Sequence, residues 1–313
     1  MKSTRVTMKD VSVAAGVSPA TVSFVLNDKP TETISPETRE RVRRAAAELG
    51  YVPNGAARAL REGTSRIVIL NVARLPHGGT GLAAFIDALD GELERLDHML
   101  LVRYRPGSAD IERMTAMVAP RAVLDLDRIY NSPDAETADG GWTEGLAAHT
   151  AVQFRYLVDL GHTRIAMALP TDRSELDRLA ALRLDYAARI LAAVDLEAPL
   201  PLVMGRDLDE DRRALSDFLD GHPEVTAVAG LDDDTALRVL AAARTLDIAV
   251  PQRLAVIGFD DAGAGELVSP ALTTVRIDTA GFGRRLAREV LDLPADDSAA
   301  APTPATVIRR QSA

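Results

Sequence analysis

The run Val17-Ser18-Pro19-Ala20-Thr21-Val22-Ser23-Phe24-Val25-Leu26-Asn27 decides how this chain is read. Ser18 is a good helix N-cap, and Pro19 falls at the first helical position, where its missing N–H costs nothing. Val22, Val25 and Leu26 make one apolar face, leaving Ala20, Thr21, Ser23, Phe24 and Asn27 to look outward. Upstream, Thr7 with Asp10 three residues on is a capping-box variant that opens a first helix. Val11, Ala14 and Ala15 recur there at helical spacing, and Gly16 ends it. Downstream, Ser35-Pro36-Glu37 caps a third helix with Val42, Ala45, Ala46 and Leu49 on its inner face, and Gly50 stops it.

Three short helices with a tight, glycine-containing turn between the first two form a helix-turn-helix, the arrangement that sends its second helix into the DNA major groove. Charge agrees with that placement. The whole chain carries −10, but residues 1–65 hold ten Lys+Arg and seven Asp+Glu, net +3, and the rest hold 26 and 39, net −13. A basic head on an acidic body suits a protein that touches polyanions at one end.

The segments Thr-Met-Lys-Asp-Val, Ala-Gly-Val-Ser, Ala-Thr-Val-Ser, Val-Leu-Asn, Ile-Ser-Pro-Glu-Thr-Arg-Glu-Arg-Val, Leu-Gly-Tyr and Val-Pro-Asn follow one another between Thr7 and Asn54. In order and spacing they resemble the head of the LacI/GalR (lactose-repressor) family of transcription regulators. The resemblance implies a hinge helix over about 53–62, in which Leu60 of two subunits wedges into a central base step from the minor groove and kinks the duplex. The DNA-contacting set it implies is Thr7, Ser18, Pro19, Ala20, Thr21, Ser23, Phe24 and Asn27 in the head, with Asn54, Ala57, Arg58 and Leu60 in the hinge. Base readout departs from the family. Pro19 and Ala20 cannot hydrogen-bond base edges, and Phe24 stands where an arginine is frequent, so it offers only apolar contact such as a thymine methyl. Thr21, Ser23 and Asn27 suit phosphates, which fix register rather than sequence.

From Arg66 onward apolar runs alternate with amphipathic stretches. Strands are expected at 67–72, 99–104, 122–126, 165–169, 227–230, 254–259 and 273–277, with helices near 80–96, 145–160, 175–194, 209–220, 233–246 and 279–292. This alternation predicts an α/β body of parallel sheets flanked by helices, with ligands beyond the carboxyl ends of the strands. Leu160-Gly161-His162-Thr163-Arg164-Ile165-Ala166, Val250-Pro251, Leu254-Ala255-Val256-Ile257-Gly258-Phe259-Asp260-Asp261 and Pro270-Ala271-Leu272-Thr273-Thr274-Val275 again stand in family order, and Ile308-Arg309-Arg310-Gln311-Ser312 resembles its last strand. The implied body, 63–313 after a head of 1–62, has two periplasmic-binding-protein-like lobes facing across a cleft.

By the same resemblance Arg183, Asp232 and Asp260 map onto effector contacts. Asp232 also starts a helix, where an acid is favoured without any ligand. Tyr186 replaces a glycine common beside the arginine and is expected to fill part of the pocket. The first lobe diverges. Arg74-Leu75-Pro76-His77-Gly78-Gly79-Thr80-Gly81 replaces a ligand-facing Asn-Pro-Phe segment, and 127–136 lacks the family's further helix and strand, so this lobe reads as abridged.

Other chemistry finds no support. Cysteine is absent, which excludes disulfides and thiolate metal sites. Residues 77–81 lack the Gly-Lys-Ser/Thr of a phosphate loop, the histidines show no paired spacing, and no Gly-x-Ser-x-Gly elbow occurs. Helix capping explains Asp232-Asp233-Asp234 without a metal. No cofactor and no catalysis are expected. The first residues hold no apolar signal core and no run is long enough to cross a bilayer, so a cytoplasmic location with no membrane partner is expected. The partners implied by the resemblance are a double-stranded operator, a second copy of the chain and a small effector such as a sugar or nucleoside. Two alternatives stay open: a DNA-bending architectural protein without effector, and a cytoplasmic solute-binding protein.

Overall fold

The structure, a computed structural model, describes residues 6–26, 34–51, 63–72, 80–104, 113, 115–126, 145–171, 177–294 and 305–313. It divides into two compact units, 1–66 and 67–313.

In the first unit, α1 (Met8–Ala15) opens on the expected capping box: Thr7 N–H donates to Asp10 Oδ2 at 2.8 Å while Asp10 N–H donates to Thr7 Oγ1 at 3.4 Å. The Thr7 hydroxyl, which donates to the same carboxylate oxygen at 2.7 Å, and the Thr7 N–H hold the exposed Asp10 carboxyl below its ordinary pKa. Gly16, at φ +64°, ends the helix in the left-handed region, where a Cβ would be strained. Helix α2 (Pro19–Leu26) is capped by Ser18, whose Oγ accepts from Thr21 N–H at 3.1 Å. Helix α3 (Pro36–Glu48) is capped by Ser35. Val11, Ala15, Val22, Val25, Val42, Ala45 and Ala46 form the core, and Arg41 Nε ties α3 to the Ala15 carbonyl at 2.9 Å.

Two expected core residues are exposed. The buried face of α1 is centred on Val11, Ser12 and Ala15, which leaves Ala14 about 100° round the helix and outside it. Leu49 is 38% exposed at the C-cap of α3, past the reach of two partner helices of only eight residues each. Thr7→Ala removes one half of the capping box and is expected to cost about 1 kcal/mol locally. Hydrogen exchange of the first-turn amides should then speed up about fivefold, and unchanged protection would contradict the role given to this cap.

In the second unit, β1 (Ile67–Val72), β2 (Met99–Tyr104) and β3 (Ala122–Asp125) form a parallel sheet in the order β2-β1-β3, with Ile67 opposite Met99 and Val68 opposite Ala122. Helix α4 (Thr80–Arg95) packs on it together with α9 (Thr279–Glu289). The two helices approach so closely that a Cβ on Gly283 would lie 2.5 Å from the Phe85 carbonyl oxygen. Buried Glu92 joins them through Arg288 at 3.0 Å.

The second lobe holds a parallel sheet in the order β5-β4-β6-β7, made of β4 (Ile165–Leu169), β5 (Leu200–Val203), β6 (Ala227–Gly230) and β7 (Ala255–Ile257). Strands β4, β6 and β7 are buried throughout, the pattern of a sheet covered on both faces. One apolar cluster involves α5 (Leu146–Asp159) and α6 (Asp177–Ala192), and a second involves α7 (Leu208–Gly221) and α8 (Asp233–Thr245). A short antiparallel pair, β8 (Thr274–Arg276) with β9 (Thr306–Ile308), accompanies them. Because α9 follows β8 yet packs in the first lobe, the chain passes between lobes more than once.

Sequence reading missed β5, because Pro201 interrupts its apolar run. At a sheet edge a residue without an N–H is tolerated. The last strand lies at Thr306–Ile308 rather than 308–312. Ser312 is instead fully buried, where its Oγ donates to the Val256 carbonyl at 2.6 Å and accepts from Thr273 N–H at 2.8 Å.

Candidate effector cleft and nucleic-acid interface

The carboxyl ends of β6 and β7 carry Gly230-Leu231-Asp232 and Gly258-Phe259-Asp260. A Cβ on Gly258 would lie 2.0 Å from Asp233 Oδ1, so only glycine lets the Asp233 carboxylate sit there. That carboxylate accepts from Thr274 Oγ1 and, at 2.6 Å, from Ala262 N–H. Burial nevertheless pushes its pKa up to about 6. Asp232 caps α8 and accepts from both Thr235 N–H and Thr235 Oγ1, so its capping role is fully met.

Arg183 projects from α6 and is completely buried. Its guanidinium donates to the Leu231 carbonyl, to Gln153 Oε1 and, at 3.3 Å, to Thr150 Oγ1, and its Cζ lies 3.6 Å above the Phe259 ring. Gln153 in turn donates to the Gly230 carbonyl at 3.0 Å and the Gly258 carbonyl at 2.9 Å. One amide thus ties both strand ends to the arginine. Desolvation, with the Arg183 charge nearby, drops His149 to a pKa of about 4 and keeps it neutral.

Asp260 has a positive φ of 94°, held by its N–H donating to the Val275 carbonyl at 2.9 Å. Burial raises its carboxyl to about 7; Arg183 opposes the shift, while Asp232 and Asp233 add to it.

These groups line a cavity that draws on both lobes. Gly81, Leu82, Phe85, Leu126, Thr279 and Phe282 face Leu146, Leu179, Arg183, Leu231, Phe259, Ala262 and the acids Asp232, Asp233, Asp234 and Asp260. The cavity encloses about 120 Å³. At roughly 10–15 Å³ per water-sized position, that is space on the scale of one sugar ring or nucleobase.

Arg183, Asp232 and Asp260, far apart in sequence, therefore meet in one place. Tyr186 does not join them: it is buried in the core with Phe154, Leu157 and Ile190 and is absent from the cavity wall, correcting the expectation that it fills the pocket. Sequence reading also missed Thr150, Gln153, Asp233 and Phe259. A detectable signal existed in α5, where Thr150 and Gln153 interrupt a face otherwise made of Leu146, Ala147, Ala151, Phe154 and Leu157.

In the head, Ser18, Pro19 and Ala20 are exposed, whereas Thr21, Ser23 and Phe24 are half-buried. Ser18 and Thr21 share a hydroxyl contact of 2.9 Å, so both are partly engaged in capping. Asn27, Asn54, Ala57, Arg58 and Leu60 lie outside the described residues, as do residues 73–79 and 127–136. Among the described residues no cluster of His, Cys, Asp and Glu is arranged to hold a metal, and no helix is long and apolar enough to cross a membrane.

A helix-turn-helix head followed by a two-lobed α/β body with a cavity between its lobes defines a class of DNA-binding regulator. Comparison with known proteins identifies the family. The profile described as bacterial regulatory proteins, lacI family, matches residues 7–54, and that of the periplasmic binding protein-like domain matches 154–313, half of the chain. The chain belongs to the LacI/GalR family of transcription regulators. It is 29% identical over 318 residues to the HTH-type transcriptional regulator CelR of Thermobifida fusca, covering 92% of each chain. It is 27% identical over 301 residues to the HTH-type transcriptional repressor PurR of Vibrio atlanticus, covering 86% of each. Among solved structures, the lac repressor dimer bound to operator and the anti-inducer ONPF shares the fold with a TM-score of 0.74 at 22% identity, over 98% of this chain and 99% of that one. A CelR–cellobiose complex matches with a TM-score of 0.58 at 24% identity, over 99% and 100%.

Proposed function

We propose that the chain is a cytoplasmic, homodimeric repressor, without enzymatic activity, that binds a pseudo-palindromic operator and is released by a small molecule seated in the cleft. The observation that carries this reading is the cavity itself, whose walls come from both lobes of a body joined in sequence to a helix-turn-helix head. A ligand touching both walls binds one lobe arrangement better than another, and such a difference in affinity is what shifts a two-state equilibrium. The boundaries follow the sequence reading: head and hinge over 1–62, effector-binding and dimerisation domain over 63–313. Arg183 and Asp260 hold the effector, and Asp232 orients α8 beside it. Thr7, Ser18, Thr21, Ser23 and Asn27 position the head on phosphates. Pro19, Ala20 and Phe24 face base edges, and Asn54, Ala57, Arg58 and Leu60 form the hinge that enters the minor groove.

Operator release in solution tests the switch. Fluorescence anisotropy of the full chain on its operator should fall when a cleft ligand is added, and indifference to every sugar and nucleoside in a broad panel would contradict it. Phe24→Arg is expected to restore a guanine preference at the base pair Phe24 faces, worth about 1–3 kcal/mol of discrimination. An unaltered sequence preference in that variant would place Phe24 off the base edges. The architectural reading is favoured by the exposed Pro19 and Ala20, which have no side-chain donors to give to bases; it predicts binding with little sequence preference.

A further inference from the structure

Among the described residues, the cleft's charges and hydrogen-bonding capacity are unbalanced in one direction. Arg183 is the one basic residue lining it among the described residues, and its guanidinium already donates to the Leu231 carbonyl, Gln153 and Thr150. Four aspartates line the cleft with that single cation. Asp233 is satisfied internally by Thr274 and Ala262, and the Oδ1 of Asp232 is taken by Thr235. The side chain of Asp260 accepts no hydrogen bond from any described residue, although its backbone is fixed and its side chain lines the cavity. The opposite wall is aromatic: Phe85 and Phe282 stack with centroids 5.5 Å apart.

Such a cleft offers acceptors and asks the ligand for donors. A neutral polyol presents hydroxyls that need both, and an anion meets like charge at Asp232 and Asp260. An ammonium group has three donors and no acceptor, and a positive charge is also favoured against the faces of aromatic rings. We infer that the effector carries a protonated primary amine on a small, partly apolar ring, with the ammonium seated on the Asp260 carboxylate and the ring against Phe85 and Phe282. This rests on the proposed effector switch and specifies the ligand class of the same cleft.

The test is calorimetric titration of the full-length protein at pH 7 with matched sets of hexose, hexosamine and hexuronate in the gluco, galacto and manno configurations. In at least one configuration the hexosamine should bind about tenfold more tightly than its neutral partner, as a charge-assisted bond replaces a neutral one. Asp260→Asn should erase that margin. Equal or tighter binding of the hexose or hexuronate, or a margin that survives Asp260→Asn, overturns the amine assignment while leaving an effector switch standing. Absence of binding by every member of every set overturns the switch, and the assignment with it.

Discussion

Arg183→Met is expected to lower the unfolding free energy of the body by about 3 kcal/mol or more, and to abolish the response to effector. The substitution keeps an apolar stem of similar reach but leaves the Leu231 carbonyl and Gln153 Oε1 without a donor. Each orphaned buried acceptor costs about 1–3 kcal/mol, and Phe259 loses the cation stacked on its face. Because Gln153 also holds the ends of β6 and β7, the loss spreads to the strand ends that form the cleft. Arg183→Lys keeps the charge without the planar fork and should fall between the two. Urea denaturation of the three proteins provides the comparison. A midpoint change equivalent to less than about 1 kcal/mol in Arg183→Met would mean that water replaces the guanidinium and that the network is not structural.

Asp260→Asn should stabilise the protein at pH 8 while erasing the preference for an amine-bearing effector. With its carboxyl raised to about 7 from an ordinary 3.8, the folded chain holds a proton in a range where the unfolded chain has released it. Stability from this group is therefore full below the unfolded pKa and is lost as pH rises through 7. Asp233, raised to about 6, has the same sign at slightly lower pH. His149 has the opposite sign, its stabilisation disappearing as pH falls from 6.5 towards 4. Between pH 6 and 8 Asp260 dominates, and the wild-type protein should lose roughly 1 kcal/mol over that interval. Asparagine tolerates the positive φ, so the variant isolates charge from backbone strain. A variant with the same downward slope from pH 6 to 8 as the wild type would show that another group titrates.

What was legible in the sequence follows the range of the interactions involved. The caps at Thr7, Ser18 and Ser35 act within three residues, and each stands where its motif put it. The buried strands β4 and β6 read as unbroken apolar runs because they are covered on both faces. Failures began where a neighbour decides. Leu49 has the right phase for the core of α3 and is exposed because its partner helices are short. Pro201 argues against a strand until β5 is seen at an edge. Tyr186 belongs to the core and not the cleft, which depends on how α6 rotates over β4. Arg183 and Asp260 came from family order, but Gln153 and Phe259, which hold the arginine, come from separate elements that only the tertiary fold brings together.

The central claim is that this chain reads a specific DNA sequence, and selection from a randomised duplex library tests it most directly. The purified protein should enrich a pseudo-palindrome with two half-sites and a pyrimidine–purine step at the dyad, the easily kinked centre that a hinge wedge requires. An unenriched pool bound with a steep dependence on salt would show backbone-driven binding alone, and the operator-specific repressor would give way to an architectural protein.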